Sequence, residues 1–213
     1  SLHDALPILT SFSWISNTEL LFTSKRNKPK AGTTDFYTIS IEGGEAKKAF
    51  SIPKACSVPV SLGNKLWLLT TKNPTDSKKS EPDRAVEGVD YWTFTDKPFI
   101  RDGENFSQRR RVTLELYQEG ENITKAITPK FCEVAGIDVS SDKNRILYTG
   151  QIYEDCATPF SGLWEYHIDS GETKELVPQG KYQISLAKYI GKDKVMLQAS
   201  TLDRSITQNH DIF

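Results

Sequence analysis

Ser205, His210 and Asp211 stand close together near the C-terminal end of the chain. A hydroxyl, an imidazole and a carboxylate are the parts of an acyl-transfer triad, in which the imidazole takes the serine proton and the carboxylate orients the imidazole. Triad partners come from separate loops of a rigid scaffold and converge in space, so neighbours along one short stretch read as coincidence. A hydrolase serine also needs Gly-x-Ser-x-Gly, which forces it onto a strained strand-to-helix turn. None of the 13 glycines stands four positions from another, so that motif is missing. No residue of the chain is therefore assigned a catalytic role, and no substrate-binding residue is assigned.

Arg109-Arg110-Arg111 lies just ahead of the apolar run VTLELY. Guanidinium groups can hold a carboxylate bidentately. Consecutive strand residues alternate between faces, however, so at most two of the three share one, and a solvated charge cluster is the expected reading. Cys56, Cys132 and Cys156 are widely spaced and form no CxxC pair. That pattern suits reduced, packed thiols in a cytosol and argues against a disulfide framework or a zinc cage. His3, His167 and His210 show no HxxxH or HxxE spacing, so no metal is expected, and no cofactor. Trp14, Trp67 and Trp164 belong to apparent strands, where packing between sheets is the expected role; Trp92 is the one placed as a surface contact.

Composition narrows the partners. The 213 residues are 37% hydrophobic and 26% charged, enough to bury a core. A net charge of -1 creates no field that would gather nucleic acid or anionic lipid, so neither partner is expected. Apolar runs such as Leu66 to Leu69 end within a few positions, far short of the ~20 residues of a spanning helix. A cytoplasmic location is expected from the free thiols. Residues 1–8, SLHDALPI, resemble a translated sequencing-adapter scar, lack the basic and apolar regions of a secretory signal, and are set apart as a leader.

What positions these residues is a repeat. SIEGGEAKKAF, from Ser40 to Phe50, returns as HIDSGETKELV, from His167 to Val177, with Gly44, Glu45 and Lys47 reappearing as Gly171, Glu172 and Lys174 at an offset of 127. ELLFTSK, KLWLLTTK, RILYTGQ and KVMLQAS repeat as well; aligning Phe22, Leu69, Tyr148 and Leu197 gives spacings of 47, 79 and 49. Each is preceded by a polar turn and another short alternating run, and the first three are followed by strand, Gly turn and strand. Four strands in about 47 residues, without helical periodicity, predict an antiparallel sheet with two apolar faces, which must stack on copies of itself.

The expected fold is all-β: a partial β-propeller over residues 9–213 with about three four-stranded blades and an incomplete fourth. The blades are placed at 9–54, 55–129, 130–179 and 180–213, the chain ending mid-blade. The second carries a long excursion at 73–111, which is Pro-, Ser- and charge-rich in PTDSKKSEPDR and aromatic in DYWTFTDKPFIRDGENF; such an excursion is a natural place for function.

SFSWISNTELLFTSKR, DFYTISIEGGEAKKAF and KPFIRDGENFSQRRRVTLELY resemble, in that order, the blade motif, the Gly-Gly-Glu hairpin and the Asp-Gly-x-x-Phe segment of the N-terminal propeller of prolyl oligopeptidase-family serine peptidases, in their acylaminoacyl-peptidase and dipeptidyl-aminopeptidase-like branch. The blade turns here lack that family's Pro-Asp-Gly. The resemblance implies a propeller that caps an α/β-hydrolase domain in the same parent chain and filters peptide substrates, the triad lying in that other domain, so that this stretch is itself inactive. Association with further copies is left open. The alternative is a stand-alone TolB-like propeller acting as a protein-binding scaffold.

Overall fold

A computed structural model describes residues 12–24, 32–74, 100–101, 104–106, 110–121, 123–154, 157–201 and 211–212, and every regular element among them is a β-strand. The first sheet is an antiparallel meander of β1 (Phe12–Trp14), β2 (Glu19–Thr23), β3 (Thr34–Ser40) and β4 (Lys47–Ile52). The chain continues through β5 (Val60–Gly63) and β6 (Leu66–Pro74), a separate hairpin of β7 (Ile100–Arg101) and β8 (Glu104–Phe106), then β9 (Arg110–Gln118) and β10 (Thr124–Ala126). The second sheet has the order β10-β9-β6-β5, so the hairpin is an insertion between its second and third strands. The third sheet contains β11 (Cys132–Val139), β12 (Arg145–Ile152), β13 (Ser161–His167), β14 (Thr173–Ile190), β15 (Lys194–Thr201) and β16 (Asp211–Ile212) in sequence order.

Phe22, Leu69, Tyr148 and Leu197 fall on β2, β6, β12 and β15, each the second strand of a repeat. The equivalence extends to side-chain pairing. Phe22 sits opposite Tyr37 on β3, and Tyr148 opposite Trp164 on β13; the rings stack at 6.1 Å and 5.5 Å. The recurring Gly turns are explained by conformation rather than space. Gly43, Gly44 and Gly120 have φ of 114°, 105° and 94°, yet a Cβ added there would meet nothing within 4 Å. Only glycine takes such φ values at little cost, and the third-to-fourth-strand hairpins need them.

Two compact units result: Ser1–Thr71 with Leu114–Ala126, and Lys72–Thr113 with Ile127–Phe213. In the first, Leu21, Phe36 and Ile52 of one sheet form a common core with Trp67, Leu69 and Tyr117 of the next. Phe50 joins them, its ring 5.1 Å from Phe36, 4.9 Å from Trp67 and 6.3 Å from Tyr117. Each side chain of this size removed from water contributes about 1.5–3 kcal/mol, which is why the sheets stack face to face. In the second unit, Leu147 and Leu163 pack with Ile184, Ala187 and Ala199. Here the sequence places ISLAKYI at the head of a separate blade, and the structure carries it as the second half of an unbroken 18-residue β14. Between Leu163↔Val177 and Ser161↔Tyr182 the register jumps. Pro178, which cannot donate to the ladder, and Gly180 at φ 132° lie at this register jump. The fold is a partial β-propeller of antiparallel blades.

Asp35 shows how polar groups are managed inside these sheets. It is buried on β3 opposite Ser51, whose hydroxyl donates at 2.7 Å, and Lys48 lies 2.9 Å away. The Ser51 hydrogen bond, and after it Lys48, hold the carboxyl below its usual range against the opposing effect of burial. A folded-state pKa below the unfolded value means stability that is present above the unfolded pKa and lost as pH falls through the folded one. Asp35→Asn is therefore expected to lower the urea midpoint at pH 7, with the gap to the parent chain starting to shrink below about pH 4 and closing only as pH passes the lowered folded pKa. A gap that stays constant from pH 7 to pH 3 would show that the carboxylate is not responsible.

Candidate functional site

Tyr148 on β12, Trp164 on β13 and Glu175 on β14 form one cross-strand row; Ile146, Tyr166 and Thr173 form the next. Alternation places both rows on the same face, with Leu147 and Leu163 on the opposite, core-forming face. Trp164 lies back along its own strand over Gly162, where any Cβ would fall inside the indole. That glycine is what lets the ring lie flat and stack on Tyr148 at an interplanar angle of 22°. Beside the pair is an open depression of about 450 Å³, bordered by Tyr148, Trp164, Thr173, Glu175, Ile127, Thr128 and Pro129.

Two of the bordering residues differ sharply in exposure. The Tyr148 side chain is 1% exposed, and its hydroxyl has no hydrogen-bond partner. Burial, and next the nearby Cys132, push this phenol well above the usual tyrosine range; Thr173 beside it acts in the opposite direction, without a hydrogen bond of good geometry. The hydroxyl is closed to solvent and so is not presented to a molecule in the depression. Glu175 pairs with Trp164 through the backbone ladder, and its side chain is exposed at the rim. Glu175 is the charged side chain that borders this depression.

The residues singled out by type and spacing end up elsewhere. Ser205, His210, Trp92, Cys156, His3 and Arg109, and the side chains of Arg110 and Asp211, lie outside the described residues. Arg111 corrects the expectation of a solvated cluster: it is 3% exposed. Its guanidinium donates to the carbonyls of Phe131 at 2.5 Å, Glu154 at 3.2 Å and Tyr153, and lies 3.7 Å from the Tyr153 ring centroid. Alternation along β9 turns it inward, and a planar, weakly hydrated cation tolerates such a cradle. Trp67 and Trp164 are buried as expected, whereas Trp14 is 53% exposed on β1. His167 is tied to Glu165 at 3.0 Å; Glu165 also accepts from the Tyr189 hydroxyl at 2.8 Å and faces Arg145 at 3.5 Å.

Cys56 and Cys132 are free thiols, pushed up by burial to about 11 and about 12. The thiolate is the reactive form. At pH 8 both should alkylate with iodoacetamide at least ~100-fold more slowly in the folded chain than in 6 M guanidinium; comparable rates would mean the sites are open. Among the described residues, no group of three His, Cys, Asp or Glu is placed to hold a metal, and no helix is long and apolar enough to cross a membrane.

The alternation along β9 also conceals Glu115. Its carboxylate, 3% exposed, lies 2.5 Å from Lys54 Nζ and accepts from Thr71 at 3.0 Å and Thr124 at 2.6 Å. In LELY a glutamate at an alternate position reads as solvent-facing; in a middle strand of stacked sheets both faces are covered.

No family model matches the chain, and no curated protein matches it. Among solved structures, an apocarotenoid oxygenase from Synechocystis aligns with 92% of this chain and 44% of its own, at 9% identity and a TM-score of 0.52. An oligogalacturonate lyase aligns with 88% of this chain and 46% of its own, at 9% identity and a TM-score of 0.51. An acylaminoacyl peptidase from Pyrococcus horikoshii aligns with 92% of this chain and 29% of its own, at 18% identity and a TM-score of 0.50. The chain spans less than half the length of each. An oxygenase, a lyase and a peptidase sharing one backbone plan show that the likeness concerns the fold and does not fix a reaction. The chain is an all-β partial propeller, and its fold is one that an acylaminoacyl peptidase also uses.

Proposed function

We propose that this chain is the non-catalytic propeller portion of a serine peptidase that hydrolyses short peptides, acylated or with a free N-terminal aminoacyl residue. In this reading an α/β-hydrolase domain of the same parent protein carries out the hydrolysis. The propeller excludes folded proteins by size and orients oligopeptides toward that domain. The carrying observation is the ordered run of three peptidase-like segments, each lying on successive strands of the chain. SFSWISNTELLFTSKR covers β1 and β2, DFYTISIEGGEAKKAF covers the β3–β4 hairpin, and KPFIRDGENFSQRRRVTLELY covers β7, β8 and β9. The missing Gly-x-Ser-x-Gly fits a non-catalytic portion, and the two free thiols fit a cytoplasmic location.

The test is to express the complete gene that contains this reading frame and treat the product with a fluorophosphonate probe and peptide anilides. Labelling of one serine outside residues 1–213, together with anilide hydrolysis, is the expected result. A full-length product that carries no labelled serine would sink the peptidase reading, and one made of propeller alone would favour a scaffold.

A further inference from the structure

We draw no further inference here: the strongest candidate, the apolar patch that Phe12 and Trp14 leave exposed on the edge strand β1 of the first sheet, carries nothing because nothing in the structure shows what covers it.

Discussion

Arg111→Leu is expected to lower stability by about 3–4 kcal/mol, among the largest losses for a single side chain in this protein. The substitution removes a guanidinium that answers three carbonyls, those of Phe131, Tyr153 and Glu154, in a site closed to water. It also removes the flat contact with the Tyr153 ring. Leucine fills part of the volume but leaves the carbonyls dry, and the cost of unpaired acceptors dominates the gain in apolar burial. The loss is compounded at Phe131, a bulky residue held at φ 65°. Such a conformation persists only where its surroundings over-determine it, and the hydrogen bond from Arg111 is one of those restraints. Arg111→Lys keeps the charge without the planar fork and should lose about half as much. Thermal unfolding followed by tryptophan fluorescence, with a fall of about 6–12 °C for leucine, is the measurement. A shift under about 2 °C would mean that the carbonyls find water or other donors once the cation is gone.

Glu115→Ala should be comparably damaging, at about 3 kcal/mol. The carboxylate is the shared acceptor for Lys54, Thr71 and Thr124, and so joins the segment after β4 to strands β6 and β10. Removing it leaves an ammonium and two hydroxyls facing a small void, and breaking a buried pair from one side costs far more than the pair adds over an apolar substitute. Glu115→Gln, whose single amide oxygen keeps an acceptor for only one of the two threonines, should lose less than the alanine variant. The coupling is tested by a double-mutant cycle with Lys54→Met: an interaction energy near zero would assign the loss to cavity formation rather than to the ion pair. These two residues are four positions apart on β9, yet each is satisfied within a different compact unit.

The fold was legible because the signals that set it are local and repeated. A turn needing positive φ selects Gly44, Gly120 and Gly171 wherever a third strand must reverse into a fourth. Short apolar runs between polar turns locate β2, β6, β12 and β15 with no knowledge of their neighbours. Arg111 and Glu115 were not legible for an equally physical reason. A lone two-faced strand shows alternation, but a strand inside stacked sheets has cover on both sides, so a charge at an alternate position no longer points to water. Trp14 fails in the opposite direction, an apolar residue of β1 left open to solvent.

By itself, the amino-acid sequence determined that the chain is all-β, where its hairpins reverse, and that it lacks a nucleophile elbow. Each of these depends on backbone conformation or on residues a few positions apart. The tertiary structure alone decided that Tyr148, Trp164 and Glu175 stand in one row, that the Tyr148 ring and hydroxyl are closed to solvent, and that two charged side chains of β9 are buried. Those facts depend on which distant groups arrive on the second face of each sheet, and no local pattern of residues encodes the identity of a neighbour supplied by another strand.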